Sequence, residues 1–168
     1  IQDNQLIYKM GKRIAEECRA VGITVNLAPV LDVNNNPDNP VINDRSFGED
    51  KFNVALKGLA YTHGMQDANV MAVGKHFPGH GDTNADSHKT LPVINHNIER
   101  LNNVELYPFK TLFANNMMGV MAAHLHIPAL DDRENRAVSL SKDVTTHLLR
   151  DTLGFKGLVF SDALNMKG

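Results

Sequence analysis

Residues 22–33 read GITVNLAPVLDV, and from Ile23 to Leu31 the run is apolar and β-branched almost without a break. A strand with one wet face would alternate; a continuous run of this kind predicts a strand buried on both faces, which belongs to a parallel sheet. The run ends on an acid, Asp32. The same pattern returns in NVMAVGKH (69–76), which ends on His76, in GVMAAHLH (119–126), which carries His124 and His126, and in GLVFSD (157–162), which ends on Asp162.

Helical patterns fill the spaces between these runs. From Asp3 to Ala20 the apolar residues Leu6, Ile7, Met10, Ile14 and Cys18 recur at steps of three and four, and Gly22 follows as a stop. A second helix falls on Phe52, Ala55, Leu56, Leu59 and Ala60, after a long polar connection rich in Asn and Pro. A third spans about Val104–Ala114 and a fourth about Lys142–Leu153, with Gly154 placed as its C′ residue. Strands and helices alternating at roughly 40-residue spacing predict right-handed βαβ units. A solenoid could show such a period, but the units share no residue motif.

In a parallel sheet every C-terminal strand end lies on one side, so Asp32, His76, His124 and Asp162 should meet at a common rim. Any one of them could simply cap the segment after its strand; four together predict a site. No Gly-rich phosphate turn comes after the first strand, which disfavours an open nucleotide-binding sheet. A (β/α)8 barrel fits better, yet such a barrel takes about 250 residues and this chain has 168. The expectation is an α/β chain forming a partial barrel of about four βα units, residues 1–168 being one incomplete catalytic domain that would expose two sheet edges. The opening at Ile1, in mid-pattern, looks trimmed.

Composition narrows the partners. A formal net charge of −2 gives no electrostatic footprint for nucleic acid or an anionic membrane, and no apolar run is long enough for a membrane span. A single cysteine, Cys18, rules out a disulfide framework and a thiolate metal site. A small or neutral partner remains. The compartment and the oligomeric state stay open.

The chemistry concentrates in KHFPGHGDTNADSHKT, residues 75–90. His76, His80, Asp82, Asp86 and His88 are of the types that hold a hard or borderline metal, so a metal-dependent barrel hydrolase is one reading. Asp86 two residues before His88 suits a carboxylate that orients an imidazole for proton transfer. A solvated polar turn is the third. His63, His96 and His147 read as surface residues, and Met117, Met118, Met121 and Met166 as packing. Asp32 could bind a hydroxyl or brace Arg45, with bracing favoured.

The loop motif KHFPGHGDTNADSH, with APVLDV, DRSFG and GFKGLVFSDALNM, resembles the bacterial β-N-acetylglucosaminidases of glycoside hydrolase family 3. The resemblance spans nearly the whole chain. It implies a barrel that removes terminal N-acetylglucosamine from cell-wall (peptidoglycan) fragments with retention, through a covalent glycosyl-enzyme. It implies Asp162 as nucleophile and His88 as acid/base in a dyad with Asp86. Arg45, Lys75 and His76 would bind the sugar, and His124 could touch it. A small-molecule carbohydrate is the implied substrate, with no cofactor and no metal. A phosphorylase of the same family is the alternative, since an imidazole repels an incoming phosphate less than a carboxylate does. A non-catalytic sugar-binding module would not need Asp162. The absence of Trp removes the usual stacking platform for sugars.

Overall fold

The computed structural model describes residues 3–84 and 91–164. Its elements are α1 (Asn4–Ala20), β1 (Val25–Asn26), α2 (Lys51–Asp67), β2 (Met71–Phe77), α3 (Ile98–Asn103), α4 (Leu106–Phe113), β3 (Gly119–Ala122), a π-helix (Asp143–Thr152) and β4 (Leu158–Ser161). All strand pairs are parallel and the order is β1-β2-β3-β4. Each strand therefore lies beside the next in sequence, the arrangement of consecutive βα units in a barrel wall. The result is a curled half-barrel with helices on its outside.

Local chemistry sets the element ends. Asp3 and Asp50 accept backbone N–H bonds from the first turns of α1 and α2, and Asn97 does the same for α3. Gly154, at φ 67°, takes the left-handed conformation that ends the π-helix. Behind the sheet, Phe77, Phe109, Leu112, Leu125 and Ile127 form the main core with other apolar residues of α4, β3 and the segments after it. A second cluster, built on Ile7, Ala15, Tyr61 and Met65, locks α1 against α2.

Three expectations change. The strand expected over Ile23–Leu31 is regular only at Val25–Asn26, and Ile23 and Leu27 are exposed. Its hydrogen bonds to β2 run on through Ala28, Pro29 and Leu31. The ladder breaks where Pro29 has no N–H to give, and β1 is paired on one side alone among the described residues. The helix expected over Val104–Ala114 begins earlier and breaks at Val104 into α3 and α4. The third strand stops at Ala122, so His124 and His126 lie beyond it.

Candidate active site

The C-terminal ends of the strands form one rim, and Asp32 is its most enclosed group, with no solvent exposure. Its Oδ1 accepts the backbone N–H groups of His76 at 3.1 Å and His80 at 2.7 Å, and its Oδ2 lies 2.7 Å from His76 Nδ1. Burial alone would raise this carboxyl's pKa. The charge of His76 and the hydrogen bonds outweigh burial and hold it below the usual range. An ionised carboxylate can only accept, so His76 Nδ1 carries the proton and Nε2 is the atom left to meet a ligand. Asp32 thus orients His76; it does not brace Arg45, whose Nη1 donates instead to the Val41 carbonyl at 3.1 Å.

Beside His76 on β2 stands Lys75. Burial lowers its pKa, the charge of Arg45 lowers it further, and the carboxylates of Asp162 and Asp32 oppose both. Arg45, Asp162 and Asp32 thus lie within electrostatic reach of the Lys75 ammonium. The β2–β3 register shifts between Gly74 and Phe77, at the two residues the site uses; such irregularities re-aim side chains at a sheet rim. Asp162 follows β4, its N–H donating to the Ala122 carbonyl at 3.1 Å and its Oδ1 accepting the Ala163 N–H at 2.8 Å. Since β3 lies between β2 and β4, Lys75 and Asp162 stand at the ends of strands two spacings, roughly 10 Å, apart.

Ser46 donates to the Asp32 carbonyl at 2.6 Å and so ties the Arg45 segment to the end of β1. No pattern in the sequence singles it out. His80, 1% exposed, shares its Nδ1 with the Thr83 hydroxyl at 3.0 Å, and its Nε2 is buried with no hydrogen-bond partner among the described residues. Burial pushes its pKa down, so it stays neutral near pH 7. His124 is buried just past β3, with Nδ1 3.2 Å from Ser139 Oγ. Asp86 and His88 lie outside the described residues.

His96, expected at the surface, is partly buried, its side chain 29% exposed. Its Nε2 lies 2.5 Å from Asp82 Oδ2, and Arg100 reaches Glu105 at 3.0 Å and Asp82 at 3.6 Å. Asp82, His96 and Glu105 bring ligand-type atoms within 4.8 Å of one another. The Arg100 guanidinium already supplies these two carboxylates with a cation, so the group reads as an ion-pair network under the loop. A concavity lined by Phe113, Met117, Gly157 and Leu158 sits at the opposite end of the sheet, where the strands begin, and holds none of the rim groups. No helix among the described residues is long and apolar enough to cross a membrane.

This geometry matches known proteins. A β-N-acetylglucosaminidase of glycoside hydrolase family 3 from Paenibacillus sp. str. FPU-7 superposes with a TM-score of 0.96 at 46% identity, over 98% of this chain and 31% of that one. NagZ from Neisseria gonorrhoeae, in complex with N-trifluoroacetyl-D-glucosamine, gives 0.89 at 35% identity, over 98% of this chain and 48% of that one. Beta-hexosaminidase A from Pseudoalteromonas piscicida is 41% identical over 170 residues, which is 95% of this chain and 28% of the relative. The chain therefore spans between about a quarter and a half of the length of these three proteins. The sequence profile of the "Glycosyl hydrolase family 3 N terminal domain" matches residues 1–168, and with the half-barrel and its rim in place, the chain belongs to that family.

Proposed function

We propose that the protein containing this chain is a retaining exo-β-N-acetylglucosaminidase acting on cell-wall fragments or related glycosides, residues 1–168 being one part of its catalytic barrel. The observation that carries the reading is the hold of Asp32 on His76, beside Lys75 at the end of β2, on the same rim where Asp162 follows β4. The names of the similar proteins, β-N-acetylglucosaminidase and beta-hexosaminidase, support it.

The chemistry comes from what each group can do. Asp162 attacks the anomeric carbon while the bond to the leaving oxygen breaks, giving a glycosyl ester. His88, oriented by Asp86, gives its proton to that oxygen and then takes one from the water that cleaves the ester. Lys75 and Arg45 donate charge-assisted hydrogen bonds to sugar hydroxyls, and His76 Nε2 is placed to hydrogen-bond another.

The test is hydrolysis of a chromogenic β-N-acetylglucosaminide by the full-length protein. Asp162→Asn is expected to lower kcat by roughly three orders of magnitude or more, as loss of a nucleophile does; unchanged turnover would refute the assignment. Running the reaction in phosphate buffer separates hydrolysis from phosphorolysis, because the latter yields a sugar 1-phosphate.

A further inference from the structure

Arg45 sits on the connection between β1 and α2. Within its polar stretch Asn39 has no solvent exposure, while its neighbours Asp38 and Pro40 are exposed. Its Oδ1 accepts the backbone N–H groups of Val41 and Ile42, both at 2.9 Å. Its Nδ2 donates across to the loop after β2, reaching the His80 carbonyl at 2.8 Å, with Thr83 Oγ1 at 3.4 Å.

Both sides of this amide lead to the rim. Arg45 hangs on the turn that Asn39 closes: its N–H donates to the Ile42 carbonyl at 2.9 Å and its Nη1 to the Val41 carbonyl at 3.1 Å. On the other side, the His80 N–H donates to Asp32, and Asp32 holds His76. A continuous hydrogen-bonded path thus joins Arg45 to His76 through one buried amide. Only an amide of this length meets the demand, because it needs two acceptor lone pairs on one atom and a donor on the other. Aspartate keeps the acceptors but sets an oxygen against the His80 carbonyl.

We propose that Asn39 is a positioning residue that fixes Arg45 relative to His76 and Lys75, so that the two rim loops meet a sugar as one unit. This rests on the glycosidase reading, in which Arg45 and His76 bind the sugar.

The experiment is a double-mutant cycle in the full-length protein, with a chromogenic β-N-acetylglucosaminide as probe. Asn39→Asp is expected to lower kcat/KM by about ten- to a hundredfold, mainly through KM, as loss of a buried hydrogen bond on a binding path would. In an Arg45→Ala background the same change is expected to cost less than about twofold. Asn39→Ser, which keeps one acceptor for the turn, is the second variant should Asn39→Asp not fold, and is expected to show the same coupling at smaller size. Additive losses, with Arg45→Ala itself impaired, would overturn the coupling while leaving the sugar-binding role of Arg45 intact. An Arg45→Ala variant as active as wild type would overturn the Arg45 assignment and the proposal with it.

Discussion

Asp32 shows what a single buried acid does here. Three donors converge on it, so replacing one oxygen by an NH2 group sets a donor against a donor in a dry site. Asp32→Asn is expected to destabilise the fold by roughly 3 kcal/mol, in the range for breaking a buried, hydrogen-bonded charge, and to raise KM by releasing His76. The pH dependence has a definite sign. A carboxyl held below its unfolded pKa of about 3.9 contributes stability that is complete above that value and is lost as pH falls through the lower folded value. Urea unfolding of wild type and variant should therefore show a constant gap from pH 7 to about 5, narrowing below about 4; a gap independent of pH would contradict the account. The sequence exposed Asp32 as a strand-end acid but pointed to the wrong partner. Asp32 and His76 are 44 residues apart, and only the parallel register, which sets Val25 against Met71 and Val30 against Lys75, brings them level. Ser46 and Asn39 were silent for a related reason: in a polar loop, nothing distinguishes a buried amide or hydroxyl from a solvated one.

At the scale of elements, periodicity carried most of the reading. The helix expected from Asp3 is α1, and the left-handed Gly154 stands where the stop was expected. The contact between α1 and α2 had no such signal. A Cβ on Gly11 would stand 2.5 Å from the Tyr61 carbonyl oxygen, and one on Gly64 would run into the Tyr8 backbone. These two glycines let the helices touch backbone to backbone. Gly64→Ala is expected to destabilise the protein by about 1–3 kcal/mol through overpacking, with KM for the chromogenic sugar unchanged because the pair lies outside the rim. Thermal unfolding alongside steady-state kinetics checks this, and a changed KM with unaltered stability would contradict it. Strand lengths were less legible than helices. An apolar run marks a strand of a parallel sheet, but not where a proline or an unpaired edge interrupts its ladder and leaves it exposed.

For the whole molecule, the parallel half-barrel was legible because four apolar runs, with helices between them, leave few topologies. The polar ends of the runs, Asp32, His76 and Asp162, do meet on one side of the sheet. How the sheet closes was not legible from these residues, and the structure shows why: β1 and β4 each have one neighbour among the described residues, and Ile23, Leu27 and Leu158 are exposed along them. The account's central claim is that Asp162 bonds to the anomeric carbon within the rim that holds Lys75. Incubating the full-length protein with an activated 5-fluoro derivative of N-acetylglucosamine and mapping the adduct by peptide mass spectrometry tests it most directly. The account predicts one sugar per chain, attached to Asp162. A label on another residue, or turnover of the sugar with no covalent adduct at any time, would contradict it.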